Sequence, residues 1–136
     1  MELKKINEQV SVSPQISVED VATIKAAGFT TIVNNRPDGE SEDQTPSAVI
    51  RAEAEAQGLK FIEIPMGREG VSPDMISGTQ AALENGEQVF CYCRSGTRST
   101  TLWALSQAGK MDAKEIIEAA ANAGYDISHL TQILSQ

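Results

Sequence analysis

The fold is set by one stretch of the sequence, Val89-Phe90-Cys91-Tyr92-Cys93-Arg94-Ser95-Gly96-Thr97-Arg98-Ser99-Thr100. Its apolar first part is long enough for one buried strand, and the polar part after it contains a glycine and two arginines. A helix is expected to follow this loop. The strand–loop–helix arrangement directs backbone N–H groups and the positive end of the helix dipole towards the cysteine sulfur. Such surroundings favour bound anions and the thiolate form of cysteine.

Strands and helices are predicted to alternate along the chain. The predicted strands are 10–12, at a sheet edge, then 30–33, 60–64 and 88–92. The predicted helices are 17–27, 45–57, 72–86 and 99–108, followed by two C-terminal helices that begin at Asp112 and Asp126. Such alternation indicates parallel strands joined by right-handed crossovers. We therefore expect a single α/β domain over residues 1–136, with a mostly parallel central sheet flanked by helices.

Composition excludes several classes of partner. The net charge of −8 argues against nucleic acid and against an anionic membrane surface. The first ten residues lack the apolar region of a secretory signal, and no apolar stretch reaches membrane-spanning length. We expect a cytoplasmic protein of bacterial type. His129 is the only histidine, and we expect no metal site and no cofactor.

Four of the five arginines follow predicted strands. Arg36, Arg68, Arg94 and Arg98 do so, whereas Arg51 lies in a predicted helix. Ligands of an open parallel sheet bind beyond the carboxyl ends of its strands. The four arginines are therefore predicted to share one rim and to bind an oxyanion such as phosphate, sulfate or carboxylate.

A simpler interpretation exists for two of these arginines. Arg36 and Arg68 could instead pair at the surface with neighbouring acids, among them Asp38, Glu40 and Glu69. The sequence favours neither interpretation for these two, but the position of Arg98 within the cysteine loop favours a function for it.

The two cysteines are predicted to have different roles. Val89, Cys91 and Cys93 share one face of the strand, and Phe90 and Tyr92 share the other. Cys91 lies inside the strand, where cysteine usually acts as a small hydrophobic residue. Cys93 begins the loop beside two arginines and is the predicted nucleophile. A disulfide between these two positions would be strained.

Three segments resemble a known family. They are Thr31-Ile32-Val33-Asn34-Asn35-Arg36-Pro37-Asp38-Gly39-Glu40, Gly58-Leu59-Lys60-Phe61-Ile62-Glu63-Ile64-Pro65 and Cys93-Arg94-Ser95-Gly96-Thr97-Arg98-Ser99. Together they are similar to the phosphatase-like domain of the beta-lactamase hydrolase-like proteins, over about the first 110 residues. The resemblance implies a fold like that of the dual-specificity phosphatases, here with extra C-terminal helices. It also implies a cysteine-dependent phosphatase with Cys93 as nucleophile and Arg98 as oxyanion-binding residue.

A phosphatase of this kind needs further groups around Cys93. Substrate oxygens would be bound by the loop residues Arg94, Ser95, Gly96, Thr97 and Ser99 together with Arg36 and Arg68, and Ser99 would also assist the leaving thiolate. An acid must protonate the leaving oxygen, and Asp38 and Glu69 are the candidates. Asp38 could equally form a turn in Pro37-Asp38-Gly39. The partner would be a small anionic substrate or a phosphoprotein.

Two departures from the phosphatase pattern leave alternatives open. Four residues separate Cys93 from Arg98, whereas phosphatases of this fold have five, and Tyr92 stands where they usually have histidine. The shorter loop has the length seen in rhodaneses, which are sulfurtransferases. A sulfurtransferase carrying a persulfide on Cys93 is therefore the second hypothesis. A non-catalytic module that binds an anion or a partner protein is the third.

Overall fold

The central sheet has five strands in the order β1-β2-β5-β3-β4, in a computed structural model that describes residues 1–135. The strands are β1 (Lys4–Lys5), β2 (Val10–Ser13), β3 (Thr31–Asn34), β4 (Lys60–Glu63) and β5 (Val89–Tyr92). Strands β2, β5, β3 and β4 run parallel, and β1 pairs antiparallel with β2. The predicted α/β fold with a mostly parallel sheet is confirmed over these residues; the predicted domain also included Gln136, which lies outside them.

Six helices accompany the sheet in this range. They are α1 (Asp20–Ala26), α2 (Ser47–Ala56), α3 (Pro73–Ala82), α4 (Thr97–Gln107), α5 (Ala113–Asn122) and α6 (Thr131–Leu134), with 3₁₀ turns at Glu84–Gly86 and Ser128–Leu130. Helix α4 begins at Thr97, two residues before the predicted start, so Arg98 lies in its first turn. Within residues 1–135, no helix combines the length and the hydrophobicity of a membrane-spanning segment.

The prediction of an edge strand at 10–12 is wrong. Strand β2 pairs with β1 on one side and with β5 on the other, and all four of its residues are buried. The edge is formed by β1, which has two residues and is too short to produce a recognisable alternation.

The two faces of β5 pack against different helices. Val89 and Cys91 belong to a core that also contains Trp103 of α4 and residues of α3 and α5. Phe90 and Tyr92 belong to a second core, formed with α1 and α2. The predicted division of the strand into two faces is therefore confirmed, and both faces of the sheet are covered as expected for a parallel sheet.

The parallel strands deliver four loops to one edge of the sheet. Where they end, the backbone N–H of Cys93 donates to Ser13 O at 3.3 Å, and that of Asn35 donates to Tyr92 O at 2.8 Å. The N–H of Ile64 donates to Asn34 O at 2.9 Å. The residues after β2, β5, β3 and β4 therefore start side by side, at the edge where such sheets bind ligands.

Candidate functional site

Cys93 lies at the point where β5 passes into the loop formed by residues 93–98, hereafter the Cys93 loop. The loop curls back over the cysteine, so that the backbone N–H of Gly96 donates to Cys93 Sγ at 3.1 Å. Cys93 has no exposed surface in this structure. A donor aimed at sulfur stabilises negative charge there.

The N-terminus of α4 supplies further donors beside the sulfur. The backbone N–H groups of Arg98 and Ser99 have no acceptor among residues 1–135. These groups carry the partial positive charge of an eleven-residue helix. The end of α4 is therefore suited to an anion placed above Cys93.

Gly96 is required at its position by both conformation and space. Its φ of 95° lies in the left-handed region, which disfavours other residues. A Cβ at this position would lie 2.1 Å from the Tyr125 hydroxyl. That hydroxyl donates to Ser95 O at 2.9 Å, so Tyr125 fixes the Cys93 loop from a segment outside the cysteine motif. Burial raises the pKa of Tyr125, and the nearby Cys93 raises it further.

Arg98 is held by the two oxygens of Glu40. Its Nη1 donates to Glu40 Oε2 and to Met66 O, and its Nη2 donates to Glu40 Oε1, each at 2.8 Å. These bonds use three of the five N–H donors of the guanidinium. The other two, on Nε and Nη2, are adjacent on one edge and face no oxygen acceptor in the described range. The hydrogen bond to Glu40 raises the pKa of Arg98, and the neighbouring Cys93 adds to this effect.

Glu40 also binds a second arginine. Arg36 Nε donates to Glu40 Oε1 at 3.0 Å, and the remaining contacts of its guanidinium are with Gln15 and Ser41. Hydrogen bonds from Arg98 and from Arg36 lower the pKa of Glu40 to about 2, against the opposing effect of its partial burial. Arg36 is only 4% exposed, so its ion pair with Glu40 is buried and does not lie at the surface.

An open depression of about 450 Å³ lies above these groups. It is lined by Gly39, Glu40, Arg68, Arg94 and Arg98. Three of the four arginines predicted at the rim therefore share one surface. Arg36 does not line the depression.

Ser99 has a different partner from the expected one. Its hydroxyl lies 2.7 Å from Asn35 Oδ1, and Asn35 Nδ2 donates to Ile64 O at 2.9 Å. Because the Asn35 oxygen can only accept, the single proton of the Ser99 hydroxyl is directed to it. Ser99 therefore ties α4 to the ends of β3 and β4, and its proton is not available to Cys93 in this arrangement.

The two candidate acids lie in different places. Asp38 Oδ1 accepts from the backbone N–H of Ser47 at 2.9 Å, which caps the first turn of α2. Glu69 is exposed in the loop after β4. Its carboxylate lies over Gly67, the residue that separates Met66 from Arg68 in the sequence. Glu69 follows Arg68, which lines the depression, and its carboxylate accepts no hydrogen bond among residues 1–135, whereas that of Asp38 is engaged in the cap of α2.

Cys91 is a free, buried thiol. Burial raises its pKa to about 12, with a further contribution from Cys93. At neutral pH such a thiol is protonated and unreactive. Among residues 1–135, no group of three or more His, Cys, Asp or Glu side chains could hold a metal ion.

Known proteins resemble this chain in sequence. Residues 2–110 match the family model described as the phosphatase-like domain of beta-lactamase hydrolase-like protein. A beta-lactamase hydrolase-like protein of Agrobacterium fabrum is 30% identical over 139 residues, which is 100% of this chain and 32% of the relative. One from Xylella fastidiosa is 32% identical over 131 residues, or 93% of this chain and 30% of the relative. The chain thus spans about a third of the length of these curated relatives.

Solved structures share the fold. A protein of Neisseria meningitidis described as a "putative phosphatase" has a TM-score of 0.84 and 31% identity, covering 98% of this chain and 96% of the other. Another so described, from Shewanella putrefaciens, has a TM-score of 0.75 at 19% identity, covering 97% and 87%. The second likeness concerns the fold alone.

The charge on Glu40 is expected to make stability depend on pH. Its folded pKa of about 2 lies below the ordinary value of 4.5, so the stabilisation is present above pH 4.5 and is lost as the pH falls towards 2. The side chain is 28% exposed, which reduces the effect to roughly 2 kcal/mol. In urea unfolding, the difference in the free energy of unfolding between wild type and Glu40→Gln should therefore shrink as the pH falls from about 6 to about 3.

Glu42→Gln is the control, because Glu42 is exposed in the same loop and forms no ion pair within residues 1–135. The difference in the free energy of unfolding between Glu42→Gln and wild type should not vary with pH. A Glu40→Gln difference equally independent of pH would show that the Arg98 and Arg36 contacts do not hold this charge.

Substitution of Gly96 should reveal the contact with Tyr125. Gly96→Ala is expected to lower the free energy of unfolding by about 2–4 kcal/mol, because backbone strain adds to overlap with the Tyr125 hydroxyl. Gly109→Ala is the matched control, since Gly109 has φ of 83° and open space around it; it should cost only the strain, about 1–2 kcal/mol. Equal losses for the two variants in urea unfolding would disprove the close contact.

Proposed function

The chain belongs to the phosphatase-like domain family of the beta-lactamase hydrolase-like proteins, and from this membership and the site we propose that it hydrolyses phosphate monoesters through Cys93. The proposal rests above all on Arg98. Glu40 holds its guanidinium so that two adjacent N–H donors bind no oxygen within residues 1–135, with the Cys93 sulfur as their neighbour at the N-terminus of α4. That edge matches two oxygens of a phosphoryl group.

In the first step, the Cys93 thiolate attacks phosphorus. A sulfur–phosphorus bond forms, and the bond from phosphorus to the ester oxygen breaks. The free edge of Arg98 and the N–H groups of the Cys93 loop bind the non-bridging oxygens as their charge develops. Glu69 acts as the general acid and gives a proton to the departing oxygen.

In the second step, water attacks phosphorus and the sulfur–phosphorus bond breaks. Glu69, now a carboxylate, accepts a proton from that water, and the cysteine returns as thiolate. Phosphate then leaves. Because Cys93 has no exposed surface in the free protein, entry of the phosphoryl group requires the Cys93 loop or the side chains beside it, Arg98 and Tyr125, to shift.

Sulfur transfer is the second candidate, favoured by the four-residue spacing between Cys93 and Arg98. The Cys93 thiolate would attack the outer sulfur of thiosulfate, forming a persulfide and releasing sulfite. A thiol acceptor would then remove that sulfur and restore the thiolate. This route needs no general acid, so Glu69 would have no part in it.

Two assays on one preparation separate these reactions. Wild type should release phosphate from an aryl phosphate, and Cys93→Ser should lower this rate by about 1,000-fold or more, since serine is a far weaker nucleophile. Cys91→Ala is the control and should keep the activity of its folded fraction, because Cys91 is buried in the core. A persulfide on Cys93 after thiosulfate, without phosphate release, would establish the second candidate. If neither phosphate release nor a persulfide were detected, the result would indicate a binding module.

The choice of acid can be tested with the leaving group. Glu69→Gln should lower kcat/KM about 100-fold for phenyl phosphate, whose leaving oxygen needs a proton, and much less for p-nitrophenyl phosphate. Asp38→Asn should instead leave kcat/KM nearly unchanged for both substrates, because Asp38 caps α2 and an asparagine oxygen can accept the same Ser47 N–H. If kcat/KM of Asp38→Asn fell much more for phenyl phosphate than for p-nitrophenyl phosphate, and that of Glu69→Gln did not, Asp38 would be the acid instead of Glu69.

A further inference from the structure

Two arginines at the depression have no part in the mechanism above. Arg68 comes from the loop after β4 and Arg94 from the Cys93 loop, and both are exposed. Within residues 1–135, Arg36, Arg51 and Arg98 each form an ion pair, whereas Arg68 and Arg94 form none. Two arginines without acidic partners on one surface are unexpected in a chain of net charge −8.

The lining of the depression fits a strongly polar ligand. Apart from Gly39, it consists of charged residues, and no aromatic side chain among residues 1–135 lines it. Its volume of about 450 Å³ lies in the range of small-molecule sites, which are usually mostly apolar. A flat aryl group would find no stacking surface here, whereas a compact polyanion would find three guanidinium groups.

Nearby carboxylates do not cancel this charge. Both oxygens of Glu40 are occupied by Arg98 and Arg36. Asp43 lies close enough to Arg94 to respond to its charge, but its carboxylate accepts a hydrogen bond from Ser41 and is exposed, so water screens the interaction. Glu69 forms no ion pair with Arg68 or Arg94 within residues 1–135. The surface formed by Arg68 and Arg94 therefore remains positive.

We propose that Arg68 and Arg94 form a second anion subsite, and that the substrate is a small molecule bearing two phosphoryl groups. One group occupies the position between Cys93 and Arg98, and the other binds Arg68 and Arg94. The proposed function decides which of the two phosphoryl groups reacts, and to that extent this inference rests on it. The second subsite itself is a statement about binding and holds without turnover.

Calorimetry on the Cys93→Ala protein tests the subsite without hydrolysis. The probes are propyl phosphate, which has one phosphoryl group, and two ligands that have two, propane-1,3-diyl bisphosphate and pyrophosphate. At least one of the two should bind about 10- to 100-fold more tightly than propyl phosphate, because its second phosphoryl group gains charge-assisted hydrogen bonds from the two arginines. Adding Arg68→Gln and Arg94→Gln should reduce this preference to about threefold or less.

The control adds Lys5→Gln and Lys114→Gln instead, which remove the same charge from two exposed positions away from the depression. This protein should keep the full preference. No preference in the starting protein, a preference that survives loss of both arginines, or an equal loss in the control would overturn the second subsite. Tighter binding of a singly phosphorylated peptide than of either bis-phosphorylated probe would overturn the substrate class. Failure of phosphate release in the wild type would leave these affinities unchanged and would count against the proposed function alone.

Discussion

The carboxylate of Glu40, shared between Arg98 and Arg36, is the interaction on which the site depends. It joins the loop after β3 to the first turn of α4 and fixes which edge of the Arg98 guanidinium stays free. The same carboxylate neutralises Arg36, which is buried and would be costly to leave unpaired. One acidic side chain thus orients the arginine beside Cys93 and stabilises the loop that carries it.

The parts of the site that could be predicted from sequence are those encoded locally. The apolar run before Cys93 and the alternation of strands and helices place the four arginines at strand ends, because parallel strands end at one edge. The double contact of Glu40 could not be predicted in this way, since 58 positions separate it from Arg98. Tyr125 was missed for the same reason: its contact with Ser95 spans 30 positions, and no motif includes it.

Side-chain partners limit what a motif can assign. Ser99 has the position of a residue that could assist a leaving thiolate, yet its proton is directed to Asn35. Asp38 and Glu69 are equivalent candidates as acids in the sequence, but Asp38 caps α2 while Glu69 lies beside the residues that contact Arg98 and line the depression. The four-residue spacing is accommodated by the left-handed Gly96, whose N–H reaches the Cys93 sulfur as α4 begins.

A crystal structure of the Cys93→Ser protein with inorganic phosphate bound would test the role of Glu40 most directly. We expect the phosphate above residue 93, with two oxygens accepting from the Nε and Nη2 edge of Arg98 while Glu40 still binds both Arg98 and Arg36. A phosphate bound away from residue 93, or an Arg98 side chain that has left Glu40 to reach the anion, would contradict this account of the site.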